Sequence, residues 1–184
     1  MKVILIQTPW SDSSAREFKN ISRKYASYAP LGLMYLAAFV EQNGHNADIL
    51  DLEVSPLPFD ELCNTIIRSN ADIIGLTTST PVFPIVQAYA KALKERTGLP
   101  IVVGGAHITV LKDKTFTNDF DFAVANEGEY TLLELMNEMQ GQKNFSKING
   151  LIYRQNGQIL VNPPRTFIAD LNLLPFPARH KLEG

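Results

Sequence analysis

The feature that most constrains this chain is a rhythm. Short, largely apolar runs alternate with segments of helical period. The runs are Val3-Ile4-Leu5-Ile6, Ala47-Asp48-Ile49-Leu50, Asp72-Ile73-Ile74-Gly75-Leu76-Thr77, Pro100-Ile101-Val102-Val103 and Phe122-Ala123-Val124. Runs of four to six residues that are apolar almost throughout suit strands covered on both faces, as in parallel sheets. Between them the apolar residues recur at three and four. Leu33, Leu36, Ala37 and Val40 form one helical stripe, opened by Pro30 and closed by Asn43-Gly44. Phe59, Leu62, Cys63 and Ile66 form a second, and Ile85, Tyr89 and Leu93, closed near Gly98, a third. Leu132, Leu135, Met136 and Met139 form a fourth. Strand-helix alternation of this kind predicts an α/β fold: a doubly wound, Rossmann-like or flavodoxin-like five-stranded parallel sheet with helices on both faces.

After the fourth helix the pattern changes. Gly150-Leu151-Ile152-Tyr153 and Gln158-Ile159-Leu160-Val161 flank Arg154-Gln155-Asn156-Gly157. Asn-Gly between β-prone runs predicts a hairpin, packed either on the sheet edge or on another part of a larger protein. The residues from Pro163 onward hold several prolines and read as an extended linker. The chain therefore divides into an α/β domain over 1–145, a hairpin over 146–163 and a linker over 164–184. The polar stretch over 8–29 is long for a loop inside a compact domain, and loops of that length are usually functional or mobile.

Composition narrows the function. With 184 residues, 45% hydrophobic and 20% charged, the chain is an ordinary globular domain. A net charge of −2 gives no pull toward nucleic acid or an anionic membrane. No apolar run approaches the roughly 20 residues of a membrane helix, and the N-terminus reads as a buried strand, so a cytoplasmic location is expected. The single cysteine, Cys63, excludes an internal disulfide or a multi-cysteine iron–sulfur site within these residues. It falls on the apolar face of its helix, as a structural thiol does.

In open α/β sheets ligands bind beyond the C-terminal ends of the strands. Here those ends carry Thr8-Pro9-Trp10, Thr78-Ser79-Thr80, Gly104-Gly105-Ala106-His107 and Asn126-Glu127-Gly128-Glu129. Hydroxyls, glycines and exposed amides suit a large ligand with amide and phosphate groups. Plainer readings stay open: Thr78, Ser79 and Thr80 as caps of the next helix, Gly104-Gly105 as a turn, His107 as a hydrogen-bonded loop residue, and Glu127 and Glu129 as carboxylates favoured at a helix start. No G-x-G-x-x-G and no G-x-x-x-x-G-K-[ST] is present, and the acidic residues of a phosphoacceptor domain are missing.

At these rim residues the sequence resembles the N-terminal cobalamin-binding domain of cobalamin-dependent radical S-adenosylmethionine enzymes, a group that includes methyltransferases and the anaerobic magnesium-protoporphyrin ester cyclase. The segments that carry the resemblance start at Ala29-Pro30-Leu31-Gly32, Gly75-Leu76-Thr77-Thr78, Gly104-Gly105-Ala106-His107 and Asn126-Glu127-Gly128-Glu129, with Asp170-Leu171-Asn172 through Arg179 similar to the family's linker into its catalytic barrel. The resemblance implies that Thr78, Ser79 and Thr80 contact the corrin or its nucleotide tail. It implies that Gly104 and Gly105 let that tail lie in the cleft, and that His107, Glu127 and Gly128 line the rim. Pro9 and Trp10 complete the candidate cofactor-binding residues, and no catalytic or metal-ligating residue is expected in the chain. The implied partner is a C-terminal radical S-adenosylmethionine barrel, which would hold S-adenosylmethionine and a [4Fe-4S] cluster.

The chain departs from the pattern at two points. The D-x-H-x-x-G motif of many cobalamin domains is missing, with no histidine before His45, so cobalamin is expected without a protein histidine on cobalt; Tyr25 and Tyr28 would then cover the lower corrin face. The C-x-x-x-C-x-x-C motif of the catalytic half is also missing, so the chain reads as a fragment or truncated homologue that does not run the chemistry alone. Two other readings compete: a stand-alone sensor or interaction domain that binds no cobalamin, and a flavin-binding flavodoxin-like domain.

Overall fold

A computed structural model describes residues 1–10 and 29–182. In chain order the elements are β1 (Lys2–Gln7), α1 (Leu31–Gln42), β2 (Asn46–Asp51), α2 (Phe59–Arg68), β3 (Ile73–Thr77), α3 (Phe83–Thr97), β4 (Ile101–Gly104), α4 (Ala106–Leu111), β5 (Phe122–Val124), α5 (Glu129–Gln140), β6 (Leu151–Gln155) and β7 (Gln158–Val161). The sheet runs in the order β2-β1-β3-β4-β5-β6-β7. The first five strands are parallel, with Leu5 opposite Ile49 on one side and Gly75 on the other. That order places the topological switch between β1 and β3.

The apolar runs sort their side chains by the strand period of two. Ile4 and Ile6 of β1, Ile74 and Leu76 of β3 and Ile101 and Val103 of β4 point to one core, shared with Leu62, Cys63 and Ile66 of α2 and Val86, Ala90 and Leu93 of α3. Val3 and Leu5, Ile73 and Val102 point to the other, shared with Leu33, Ala37 and Val40 of α1 and Leu132, Leu135 and Met136 of α5. The four predicted helices thus cover both faces, but α3 buries Val86, Ala90 and Leu93, with Ile85 and Tyr89 of its predicted stripe only partly buried at the edge of that face. Burial raises the pKa of the Cys63 thiol above its usual value, with the Arg96 charge pulling weakly the other way, in keeping with a structural thiol.

Three features go beyond the sequence reading. The hairpin forms as expected around Asn156 and Gly157, both at positive φ, and of its two expected placements takes the sheet edge, pairing antiparallel with β5 and bringing the sheet to seven strands among the described residues. A fifth helix, α4, follows β4 directly; six residues are too few to display a period. The residues after Pro163 pass back over the domain: Ala178 is 2% exposed and donates its N–H to the carbonyl of Met34 in α1 at 3.1 Å. No helix among the described residues is long and apolar enough to cross a membrane.

Candidate functional site

The C-terminal ends of β1, β3, β4 and β5 meet α1 and α5 around a cleft of about 270 Å3. Its floor is apolar, made by Leu5, Gly75 and Val102 of the sheet and Leu33, Leu36 and Leu132 of the two helices. Its mouth is polar and glycine-rich, with Thr77, Gly104, Gly105, Asn126, Glu127 and Glu129. Gly75 sits in mid-strand, and a Cβ there would stand 2.6 Å from the Leu5 side chain. Gly105 has φ +107°, and a Cβ on it would meet the Thr78 carbonyl oxygen at 2.3 Å. The Thr78 N–H in turn donates to the Gly104 carbonyl at 2.9 Å, which stitches the ends of β3 and β4 together. A side chain at position 105 would pry this seam apart.

Three buried polar side-chain atoms have no hydrogen-bond partner among the described residues: Thr8 Oγ1, Ser79 Oγ and Glu129 Oε2. They follow β1, follow β3 and open α5, so all three belong to the same rim. An unsatisfied buried polar group costs about 1–3 kcal/mol, so polar side chains left without a partner among the described residues at one end of a sheet are the residues to ask about first. Glu129 also lines the cleft. Burial, and secondarily the charge of Glu127, raises the pKa of its carboxyl above the ordinary 4.5.

The predicted site residues fall into two groups. Gly104, Gly105, Glu127 and Gly128 line the cleft together. The others surround it. Ser79 precedes a 3-10 turn over Thr80–Val82 without making a side-chain cap, so the capping reading is not realised at this residue. Thr78 is buried, and its hydroxyl donates to the Ser79 carbonyl at 3.1 Å. Thr80 Oγ1 lies 3.1 Å from Nδ1 of His107, whose ring is 7% exposed and lies 4.2 Å from that of Phe83. His107 thereby pins α4 to the turn after β3. Pro9 and Trp10 follow β1 outside the cleft; Trp10 is 53% exposed and donates its backbone N–H to the Glu53 carboxylate at 2.7 Å. Tyr25 and Tyr28 lie outside the described residues.

The apolar floor and Glu129 were missing from the predicted site residues. Gly75 carried a signal: glycine inside a strand often marks close approach of a ligand or backbone. Leu5, Leu33, Val102 and Leu132 carried none, because floor and core residues obey the same period. Among the described residues, no group of three or more histidine, cysteine, aspartate and glutamate side chains could hold a metal ion.

Three comparisons bear on this geometry. The model of the family described as the B12 binding domain matches residues 22–136. An uncharacterized methyltransferase of Pyrococcus horikoshii is 29% identical over 181 residues, 97% of this chain and 38% of its own length. The anaerobic magnesium-protoporphyrin IX monomethyl ester cyclase of Synechocystis is 31% identical over 149 residues, 78% of this chain and 30% of its own. The chain thus spans about a third of the length of the curated relatives it matches. Among solved structures, the radical S-adenosylmethionine methyltransferase TsrM of Kitasatospora setae, with cobalamin and a [4Fe-4S] cluster bound, superposes with a TM-score of 0.71 at 18% identity, covering 96% of this chain and 31% of TsrM. The cobalamin-dependent S-adenosylmethionine radical enzyme OxsB, with aqua-cobalamin bound, gives 0.74 at 18% identity, covering 96% of this chain and 24% of OxsB. At these identities the structural likeness speaks to the fold.

Proposed function

This chain belongs to the B12 binding domain family, and on that premise we propose that it is the cobalamin-binding module of a cobalamin-dependent radical S-adenosylmethionine enzyme, seating a corrinoid across the C-terminal edge of its sheet. The carrying observation is the glycine-rich cleft at that edge, with an apolar floor and a polar mouth where Glu129 keeps a buried oxygen unpartnered among the described residues. The residues fit the group. An apolar cleft of about 270 Å3 suits the flat base of a nucleotide tail, and the much larger corrin would rest over the rim. Gly75, Gly104 and Gly105 admit the tail, while Thr77, Asn126, Glu127 and Glu129 at the mouth offer hydrogen bonds to its polar groups and to corrin amides. Thr78, Thr80 and His107 hold the rim in shape from behind.

The disposition of the histidines favours binding with no protein histidine on cobalt. His45 lies at the opposite end of the sheet, between the N-terminal amine and Asn137. His107 is turned away against Thr80 and Phe83, and His180 sits in an exposed 3-10 turn over Arg179–Lys181. Bound cobalamin would supply methyl-carrier or related radical chemistry, and the protein would supply placement. The relatives extend well beyond the matched residues, and in the corresponding part of the parent protein we place the barrel that would hold S-adenosylmethionine and a [4Fe-4S] cluster. Phe167, Leu171, Leu173 and Phe176, all largely exposed and the last 95% so, form the surface on which we seat that barrel.

The test is titration of the chain and of its full-length parent with hydroxocobalamin, read by absorbance and gel filtration. Co-elution with a spectrum of detached base and no histidine ligand supports the reading. Failure of the full-length parent to retain the corrinoid refutes it.

A further inference from the structure

Residues 163–182 form a strap across the face made by α5 and α1. It starts at the hairpin, where the Gly150 N–H donates to the Pro163 carbonyl at 2.8 Å. Arg165 pairs with Glu134 of α5 and donates from Nε to Thr131 Oγ1 at 3.0 Å, with its guanidinium over the Tyr130 ring. The Ile168 N–H donates to the Glu127 carboxylate at 2.7 Å. Beyond that point the strap is held again by Ala178 on Met34, and Lys181 Nζ donates to the Ala47 carbonyl of β2 at 2.7 Å and pairs with Glu41 at 2.6 Å.

Glu127 is therefore two-sided. It lines the cleft, and its carboxylate also holds the strap. A carboxylate offers about four lone-pair sites, so one N–H from Ile168 leaves capacity for a donor inside the cleft. The anchors at Arg165 and Lys181 involve no cleft-lining residue, so they keep the strap on the domain when the central contact opens.

We propose that Glu127 couples cleft to strap: a ligand amide donating to this carboxylate fixes the side chain that holds Ile168, so filling the cleft tightens the strap. The ligand class, an amide-bearing corrinoid, rests on the function proposed above. Coupling of this kind is reciprocal, so a loosened strap weakens the ligand by the same factor. Glu127 is in this role a positioning residue, acting on the strap through a backbone amide.

The experiment is hydrogen–deuterium exchange on the whole protein, with and without saturating hydroxocobalamin, followed in peptides covering 163–182. In the wild type the ligand is expected to slow exchange around Ile168 by about 5-fold or more, the lower end of ordinary allosteric coupling. Glu127→Ala speeds exchange there without ligand and abolishes the response, while Glu127→Gln, which keeps an acceptor, retains it. Ile168→Pro removes the donor, leaves the carboxylate intact, loosens the neighbouring strap and weakens hydroxocobalamin by a similar factor. Hydroxocobalamin bound with strap exchange unchanged, or an undiminished response in Glu127→Ala, overturns the coupling and leaves the corrinoid reading standing. Failure of hydroxocobalamin to bind overturns both.

Discussion

Two residues carry the most testable physics of the rim. Gly105 combines φ +107° with a missing Cβ that would stand 2.3 Å from the Thr78 carbonyl oxygen. A side chain there meets backbone strain and a backbone clash together, and strained backbone alone costs about 1–3 kcal/mol. Gly105→Ala is expected to lower stability by at least that range in urea unfolding, whereas a drop below about 0.5 kcal/mol would show that the seam between β3 and β4 yields freely. Glu129 makes a prediction in pH. Its folded pKa lies above the ordinary 4.5, chiefly through burial. The folded state therefore holds its proton more tightly than the unfolded chain does, and stability falls as pH rises from about 4.5 through the raised value. Glu129→Gln removes the charge, so it should be the more stable protein above that window and should flatten this part of the profile. Equal pH slopes for wild type and variant would contradict the burial argument.

At the scale of elements, the hairpin isolates what a turn contributes. Asn156 and Gly157 both take positive φ, and β7 is the outermost strand and mostly exposed. Left-handed backbone costs an ordinary residue about 1–2 kcal/mol. Replacing both residues by alanine should strip exchange protection from β6 and β7 and leave β1, β3 and β4 protected; loss of protection throughout the sheet would mean that the hairpin is part of the cooperative core. This turn was legible in the sequence because Asn-Gly has a local cause. So were β1 to β5 and the presence of the four long helices, although in α3 the buried face runs through Val86, Ala90 and Leu93 rather than Ile85, Tyr89 and Leu93, because its many small and apolar residues offer two adjacent stripes. The pairing of β6 with β5, the helix over Ala106–Leu111 and the path of the strap were not. The first and last are contacts between distant residues, such as Ile168 with Glu127, and a six-residue helix spans too few turns to show a stripe. The rim residues could be placed because strand ends were placed. Which of them face the cleft, as Gly104 does, and which turn away, as His107 does, depends on side-chain directions that the local pattern does not encode.

For the whole molecule, the described residues build two closed cores and leave an open cleft at one edge of the sheet. Among the described residues Thr8, Ser79 and Glu129 keep buried polar atoms without partners, and a buried polar atom that stays unpaired costs about 1–3 kcal/mol. A ligand that meets them and fills the floor over Gly75 acts on the native state alone, because the rim exists only when β1, β3 and β5 are assembled. Hydroxocobalamin at a hundred times its dissociation constant should then add about 2.7 kcal/mol of stability. In a chain of this size about 1 kcal/mol moves the midpoint by roughly 2–4 °C, so the melting temperature should rise by roughly 5–11 °C, and should keep rising with the logarithm of ligand concentration. Riboflavin phosphate at the same concentration should leave the midpoint in place. A shift with the flavin and none with the corrinoid would return the flavodoxin-like reading of this fold. A flat response to both in the full-length parent would overturn the corrinoid reading and favour a sensor or interaction domain that binds no cobalamin.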